Sequence, residues 1–480
     1  MALRPLALQK DINRERIVNL QKKINYIQVT KKKWILLVLF ILLVAGWFKF
    51  FYKTWTNESV PENADCIIAL DVKKITNTLI WNFITTPSQW KSGDWFSSDE
   101  EGKVSWDDMI SLPDYVFLFH LSGEPENAFY TVVEINDQDD FEKGLKQYGF
   151  EKTATGSFAS STSGIEFIQR GNSLLIGNAA VKDKKYIQSV ASALFSKKDF
   201  IVLDSIEKLV KAGSHLAMET RFIKNSFFTG DYPVTGDFND ASFVFSTSLQ
   251  TSNLPQLSTN SFRYSDSSLL SAGFTQPGTG AKMLLPDSAW TNISKAVNFD
   301  LDSFLLPSNH FYQLDITGLY SRADSAVSYT YDDDFNPVEK VVVNKVEEPA
   351  YNFIVYGDSV PLIYNYWNTA GKFETSGDSS LFTPVPFVKS YCTLKSKNQL
   401  LLTSANYKTQ KLDKTIDCIL FIKILLSKIP PALFNYLPPA VPKLLQNIET
   451  AEFVIEKKKG QTILNVRFNK KKNDQPLVSF

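Results

Sequence analysis

Cysteine is scarce in this sequence. Three cysteines are present among 480 residues, Cys66, Cys392 and Cys418, and they lie far apart with no CxxC pair and no zinc-ligand spacing. A disulfide scaffold is therefore excluded, although a single bridge such as Cys392 to Cys418 stays open. The favoured alternative is three buried thiols that act as small apolar side chains.

The sequence has no excess of charge of either sign. Its 51 Lys and Arg residues equal its 51 Asp and Glu residues, so the formal net charge is zero. Proteins that bind nucleic acid usually carry a basic excess, and this balance argues against that class. We therefore predict no nucleic acid among the partners of this chain.

Recognisable catalytic and metal-binding motifs are also missing. The sequence contains no GxSxG, P-loop, HExxH or GxGxxG pattern. The three histidines, His120, His215 and His310, are isolated from one another in the sequence. We predict no catalytic residue, no metal and no cofactor. An enzyme assembled from scattered residues is kept as an alternative. A cleft that brings two carboxylates, or His215 or His310 with Ser or Asp, into hydrogen-bond reach would support it.

One long apolar run is present near the start of the chain. Residues 34–48 read WILLVLFILLVAGWF, and extension to Tyr52 gives nineteen residues that only Lys49 interrupts. A helix needs about 20 apolar residues to cross a bilayer. The run therefore predicts a transmembrane helix that contacts the lipid bilayer, with Trp34, Phe48 and Tyr52 at its ends.

The flanks of this run predict its orientation. Residues 1–33 carry nine Lys or Arg, and the positive-inside rule keeps such a segment in the cytoplasm. A leader of this length is too long for a cleaved signal peptide. We therefore predict a signal anchor that is not cleaved, with the large C-terminal part outside the cytoplasm.

The rest of the chain shows a repeated order of predicted elements. A hairpin predicted at 164–179 has a counterpart at 388–405, an offset of about 225 residues, and neighbouring strands and helices repeat in the same order. This order predicts an α+β fold of two tandem, duplicated lobes, each a mixed or antiparallel sheet with helices packed on one face. The predicted segments are a basic tail at 1–33, the anchor at 34–52, a first lobe at 56–250, a connection at 251–305 and a second lobe at 306–480.

Four Asp-Ser-aliphatic triplets occur in this external part. Asp and Ser favour helix N-caps and turns, so each triplet has a simple structural explanation. The functional alternative is O-glycosylation of the serine. The four serines are Ser205, Ser288, Ser325 and Ser359.

The segment 418–445 is unusually apolar and rich in proline. Its first part is too short to span a bilayer, and the proline pairs at 430–431 and 438–439 interrupt regular helix. A core helix followed by a packed connection is the favoured interpretation. The alternative is an apolar contact surface or groove wall centred on Phe421, Leu425, Phe434, Tyr436 and Leu437.

An acidic turn separates two alternating stretches at 326–342. The sequence AVSYTY is followed by DDDFNP and then VEKVV, a pattern that predicts a β-hairpin. Asp332, Asp333 and Asp334 lack the spacing and the glycine of a calcium-binding loop. The three carboxylates are therefore predicted to form a solvated hairpin tip.

Three segments make the chain resemble a group of uncharacterised envelope proteins of the Bacteroidota. They are SVPENADCIIALDVKKI at 59–75, YDDDFNPVEK at 331–340 and NVRFNKKKN at 465–473. The resemblance implies a Gram-negative periplasm as the external compartment. Members of that group are often lipoproteins or exported, and this chain departs from them by its predicted anchor and by the lack of a lipobox cysteine. With the predicted anchor, the expected location is the inner membrane, single-pass, with the N-terminus in the cytoplasm and the bulk in the periplasm. The resemblance also implies glycosylation at Asp-Ser-aliphatic sites, but it brings no activity, cofactor or catalytic residue.

These observations favour a binding protein over an enzyme. We expect a membrane-tethered, non-enzymatic protein that binds another envelope protein or assembly. A carrier or sensor of an apolar ligand such as lipid is the main alternative, because helices over a sheet can hold such a ligand between layers. The enzyme with an unrecognised site is the second alternative.

Overall fold

The computed structural model describes most of the chain between residues 38 and 471. The described residues are 19, 21, 38–41, 44, 46–47, 49–89, 103–125, 127–153, 156–160, 164–178, 185–220, 233–249, 258–276, 291–292, 294–295, 310–358, 360–376, 379–384, 388–405, 407–408, 412–430, 445 and 447–471. Strands account for 50% of the structure and helices for 24%. The protein is therefore mostly β.

The strands fall into two consecutive groups along the chain. The first group is β1 Ala64–Asp71, β2 Ile110–Ser111, β3 Tyr115–Leu121, β4 Tyr130–Ile135, β5 Glu151–Lys152, β6 Phe158–Ala159, β7 Ile165–Arg170, β8 Ser173–Asn178, β9 Leu216–Thr220, β10 Val234–Phe238 and β11 Ser242–Leu249. The second group is β12 Asn260–Tyr264, β13 Leu270–Gln276, β14 His310–Tyr331, β15 Pro337–Tyr356, β16 Phe373–Ser376, β17 Ser379–Phe382, β18 Ser390–Ser396, β19 Gln399–Ser404, β20 Lys414–Cys418, β21 Leu420–Leu425, β22 Ile448–Lys458 and β23 Gln461–Lys470. Aromatic and β-branched residues, which pack well on a pleated surface, fill many of these strands.

The helices are short and lie between strands. They are α1 Val72–Thr85, α2 Trp106–Met109, α3 Gln138–Gln147, α4 Lys185–Ser192, α5 Leu203–Lys211 and α6 Val360–Thr369, with single 3-10 or π turns at Pro87–Gln89, Ala193–Lys197 and Leu426–Lys428. Aspartate caps start two of them. Asp71 accepts the N–H of Lys74 at 2.8 Å, and Asp137 accepts the N–H groups of Asp139 and Asp140 at 2.9 Å. Each cap satisfies donors that the first helical turn leaves unpaired.

The strands pair in one large antiparallel sheet. The order of hydrogen-bonded neighbours is β5, β6, β7, β8, β4, β3, β1, β9, β10, β11, β23, β22, β21, β13, β14, β15, β19, β18, β17 and β16. β2 pairs with β4, and β12 and β20 form a separate two-stranded sheet.

The strand order of the first group returns in the second. Outward from β11 the neighbours are β10, β9, β1, β3, β4, β8, β7, β6 and β5, and outward from β23 they are β22, β21, β13, β14, β15, β19, β18, β17 and β16. When β2, β12 and β20 are left out of the count, each position holds strands of the same rank in chain order within their group, and α3 after β4 corresponds to α6 after β15. β11 and β23 pair with each other from Ser242↔Asn469 to Leu249↔Thr462, which joins the two halves.

The predicted α+β fold is wrong. The two halves are not separate mixed sheets covered by helices, because the pairing of β11 with β23 makes them one antiparallel sheet. The first part of the apolar segment 418–445, predicted as a core helix, contains β21. A short apolar run suits a buried strand as well as a buried helix, so its composition alone does not distinguish them. The predicted segment boundaries stay a prediction.

The predicted transmembrane helix is also wrong. Within the described part of the chain, no helix is both long enough and apolar enough to cross a membrane. The predictions of a signal anchor, of its contact with the bilayer and of an inner-membrane location all depended on this helix. They are therefore wrong as well. Trp34 and Phe48 lie outside the described residues, and Tyr52 is 51% exposed.

Each half has its own apolar core. In the first half, Phe119 and Leu175 are fully buried within a cluster that the sheet shares with α4 and α5. In the second half, α6 buries Val360, Ile363 and Trp367 against the sheet. The spacing of these three residues places them on one helix face, which explains the side of α6 that packs.

Gly273 of β13 is a site where packing permits only glycine. A Cβ atom there would meet the ring of Phe262 at 2.3 Å, and that ring is fully buried. We expect Gly273→Ala to lower the free energy of unfolding by about 1–3 kcal/mol through overpacking. Gly318→Ala is the matched control, because no atom lies within 4 Å of its added Cβ. Equal denaturation midpoints for the two variants would contradict the packing described for β13.

Candidate interaction surface

The hairpin of β14 and β15 extends far beyond its neighbours in the sheet. β13 pairs with β14 only as far as Ile316, and β19 pairs with β15 only from Asn352 onward. Beyond a register shift at Ile316/Gly318, the two strands continue to pair from Gly318↔Ala350 to Tyr331↔Pro337. At about 3.4 Å per residue, this ribbon is about 45 Å long. We call residues 318–350 the arm.

The arm has no equivalent in the first half of the sheet. The strands at the same position there are β3 and β4, which have 7 and 6 residues, against 22 and 20 in β14 and β15. The two halves therefore share a strand order but differ in this hairpin. A feature present in one copy of a repeated architecture is a candidate for function, because the shared fold does not require it.

One face of the arm carries most of its exposed large apolar side chains, together with Glu339 and Lys345. The register places alternate side chains on that face, including the opposed residues Val327 and Val341. The exposed fractions are 58% for Val327, 58% for Tyr329, 70% for Tyr331, 64% for Val341 and 61% for Val343. A contiguous exposed apolar patch marks an interaction site, and a two-stranded ribbon alone is marginally stable in water. The arm therefore has the character of a surface that a partner covers.

Hydrogen bonds hold the tip of the arm in a defined turn. Asp332 accepts the N–H of Asn336 at 2.8 Å and the N–H of Asp334 at 3.0 Å. The N–H of Asp332 in turn donates to the carbonyl oxygen of Asn336 at 3.1 Å. The bonds from the Asn336 and Asp334 backbone hold the pKa of Asp332 below its usual value. The predicted hairpin with a solvated acidic tip is confirmed.

Phe335 at this tip is strained and almost fully exposed. Its φ is 60°, in the left-handed region, and 83% of its surface is accessible. A bulky residue in this region costs about 1–2 kcal/mol. Strained backbone of this kind clusters at functional sites. Neither folding energy nor burial explains a phenylalanine at this position.

The apolar contact surface predicted from the segment 418–445 is only partly described. Phe421 and Leu425 lie in β21 and are 2% and 9% exposed. The ring of Phe421 packs against Tyr264, with centroids 4.8 Å apart. These two side chains are therefore part of the buried core and not of an exposed surface. Phe434, Tyr436 and Leu437 lie outside the described residues.

The predicted glycosylation serines have different environments. Ser205 is half-buried in the first turn of α5, where its N–H donates to the carbonyl oxygen of Val202 at 3.2 Å. Ser325 is exposed on the arm. Ser288 and Ser359 lie outside the described residues. Glycosylation of these serines stays a prediction.

A hydroxyl, an imidazole and a carboxylate meet where α1 packs on the sheet. Thr78 Oγ1 lies 2.7 Å from His215 Nε2, and His215 Nδ1 lies 2.7 Å from Asp237 Oδ1. Lys74 Nζ also bonds to Asp237 Oδ1 at 2.7 Å and to the carbonyl oxygen of Gly213 at 2.8 Å. Thr78 and His215 are 137 residues apart in the chain, so no short sequence motif contains both of them.

This cluster fixes α1 rather than forming an open catalytic site. Lys74 and Thr78 are one helical turn apart, so both side chains tie the same face of α1 to the sheet. A cleft of about 200 Å³ beside α1 is lined by Lys73, Thr76 and Asn77, and none of the cluster residues lines it. That volume is below the range of about 300–1,000 Å³ typical of ligand sites. The geometry thus supports a positioning role for His215.

The described residues offer no evident place for a metal ion. No group of three or more His, Cys, Asp or Glu side chains within that part of the chain is arranged to hold one. Cys66, Cys392 and Cys418 are buried and free, which confirms the prediction of three buried thiols. Burial raises the pKa of Cys66 to about 11 and that of Cys392 and Cys418 to about 12. Thiols held protonated in this way are poor nucleophiles and poor ligands.

Comparisons with known proteins add little to this geometry. No protein-family model matches the chain, and no curated protein matches it. The solved structure of crystal form I of TP0453 aligns with 76% of this chain and 93% of its own, at 9% identity and a TM-score of 0.21. Such a low TM-score carries no argument about fold or function. The resemblance to Bacteroidota envelope proteins therefore stays a prediction.

His215 makes the stability of the protein depend on pH. Burial lowers its pKa below 6.5, the bond to Asp237 raises it in part, and the charge of Lys74 lowers it further. The unfolded chain therefore takes up a proton near pH 6.5 while the folded chain resists it. We expect stability to be complete above pH 6.5 and to fall as the pH drops toward the folded pKa.

The measurement is the melting temperature Tm between pH 7.5 and pH 5.5. His215→Gln should lose this part of the decline, because glutamine does not titrate. Thr78→Val removes one hydrogen bond but keeps the imidazole, so it should lower Tm while retaining the slope. A His215→Gln protein with the full slope of the natural protein would show that the titration lies elsewhere.

Proposed function

We propose that this chain is a non-enzymatic binding protein and that its arm docks on a second protein. The observation that carries the proposal is Phe335, strained and 83% exposed at the end of a defined two-stranded ribbon. The resemblance noted in the sequence favours another envelope protein as the partner. The proposal assigns no catalytic role to any described residue.

The energetics favour an aromatic anchor at the tip. Full burial of a phenylalanine side chain contributes roughly 1.5–3 kcal/mol relative to leaving it in water. Aromatic residues in desolvated pockets carry much of the energy of protein interfaces. Because the turn is already held by Asp332, little conformational entropy is lost when Phe335 enters a pocket. The partner therefore has an apolar pocket for this ring.

The charges around the tip define the rim of that pocket. Asp332, Asp333 and Asp334 are all exposed and directly precede Phe335. Complementary potentials speed association and exclude wrong partners. The partner accordingly carries Lys or Arg side chains around its pocket. Salt should slow association, because these charges lie in solvent where ions screen them.

No specific observation favours the apolar-ligand carrier. Phe421 and Leu425, the two described residues of the predicted apolar surface, are buried. The cleft beside α1 holds about 200 Å³, which is small for a lipid. The enzyme alternative has the Thr78, His215 and Asp237 cluster, but its contacts fix α1. Both alternatives therefore have less support than the arm.

A photo-crosslinking amino acid at position 335 tests the proposal in cells that contain the full-length protein. We expect one specific crosslinked partner from this position, identified by mass spectrometry. The matched control is the same amino acid at Val202, an apolar residue of the first half that is 63% exposed. The same product from both positions would indicate unspecific contact and would count against the arm.

Phe335→Gly then separates binding from folding. Glycine adopts a positive φ without the Cβ penalty, so Tm should be unchanged or higher. Affinity for the purified partner should fall at least about tenfold, because the anchor ring is lost. Retention of full affinity by a stable Phe335→Gly protein would refute the proposal.

A further inference from the structure

The outer edge of β15 in the arm is built for pairing with another strand. β19 covers β15 only from Asn352 onward, and the edge before it pairs with no strand among the described residues. Pro337 and Pro349 stand at the two ends of this stretch, and no proline lies between them. Every residue from 338 to 348 therefore has a backbone N–H, and alternate residues direct theirs away from β14 to the free edge. Such an edge is a template for strand addition.

We propose that two copies of this chain associate through this edge, with β15 antiparallel to β15 around a two-fold axis at Val342. The product is a four-stranded ribbon made of two arms. The proposal goes beyond the docking of Phe335 and does not depend on it, because the tip lies outside the paired stretch.

Charge complementarity selects the second copy and the register. With Val342 opposite itself, Glu339 of each copy lies opposite Lys345 of the other. Val341 likewise lies opposite Val343 of the other copy. The two-fold axis creates each contact twice. Opposite charges and β-branched pairs across antiparallel strands both stabilise a sheet.

Other registers are less favourable. Moving the two-fold axis to Val343 places Glu339 opposite Glu347. Moving it to Val341 places Glu339 opposite Val343 and Lys345 opposite Pro337, so both charge pairs are lost. Like charges directly opposite each other destabilise a strand pair. In the proposed register Lys340 lies opposite the neutral Asn344. The sequence of this edge therefore favours one alignment.

Pairing also resolves the marginal stability of the arm. A two-stranded ribbon is marginal in water, whereas three or more strands with an apolar face support each other. The dimer places two copies of the apolar face that contains Tyr329 and Val341 side by side. It leaves Phe335 free at both tips. Two linked tips would raise the avidity for a partner that presents two sites.

A single engineered cysteine tests the axis on the full-length protein. Residues opposite each other in an antiparallel pair have Cα atoms about 4.5–5.5 Å apart, which a disulfide can bridge. We therefore expect Val342→Cys to form a covalent dimer under mild oxidation. Asn344→Cys is the matched control, because its copies lie four residues apart along the strands and beyond about 7 Å. The natural cysteines are buried and do not interfere.

A charge exchange tests the register independently. Lys345→Glu and Glu339→Lys should each raise the dimer dissociation constant at least about tenfold, since both create two like-charge pairs. The double variant should restore the original value. Lys340→Glu, which faces Asn344, should change it less than threefold. The measurement is sedimentation equilibrium of the full-length protein.

The outcomes separate this proposal from the docking of Phe335. Equal crosslinking of Val342→Cys and Asn344→Cys, or no recovery in the double variant, would overturn the dimer. Neither result would alter crosslinking to a partner from position 335. Conversely, a dimer that follows the charge exchange while position 335 finds no partner would leave this proposal standing alone.

Discussion

The backbone pairing of β11 with β23 is the contact on which the rest of the sheet depends. These are the last strands of the two halves, and each would otherwise leave a row of N–H and C=O groups exposed at a sheet edge. Their antiparallel pairing over residues 242–249 satisfies both rows at once. Outward from this pair, the same order of strands runs toward both edges of the sheet. One sheet results, and a buried apolar cluster of Leu249 with Leu420, Ile455 and Leu464 spans the junction.

Within this sheet, the arm is the element that its surroundings do not explain. Most strands have a neighbour on each side, and their apolar side chains enter a core. The arm has neither, yet it keeps an apolar face and a bulky residue in a left-handed turn. The corresponding hairpin of β3 and β4 is short. The repeated strand order therefore explains the sheet, and the arm is the feature that the second half has in addition.

The His215 cluster shows why geometry has to be weighed with its surroundings. Its distances match those of a catalytic hydroxyl, base and carboxylate, and such arrangements are recognised by geometry. However, Lys74 shares the carboxylate of Asp237 and joins the same helix face to the sheet. The same interactions that would activate a nucleophile here hold α1 in place. A role of His215 in positioning α1 is consistent with each of the contacts described for this cluster.

Local pattern determined the local features of this protein. Alternating residues around an Asp- and Asn-rich turn were sufficient for the β14–β15 hairpin, and the lack of paired Cys motifs was sufficient for free thiols. Both depend on residues near one another in the chain or on composition. The apolar run near residue 40 and the short apolar stretch at β21 were misjudged. A short apolar run suits a buried strand as well as a buried helix, so composition alone did not identify β21.

Only the tertiary structure decided the joining of the halves, the contacts of His215 and the exposure of the arm. Ser246 and Asn465, which bond side chain to side chain at the β11–β23 junction, are 219 residues apart in the chain. No periodicity within a strand specifies which distant edge will cover it. Exposure is likewise a property of what neighbouring strands fail to reach. The sequence by itself therefore determined which segments are strands and turns at several places, and chain-distant packing determined which of their surfaces remain available for binding.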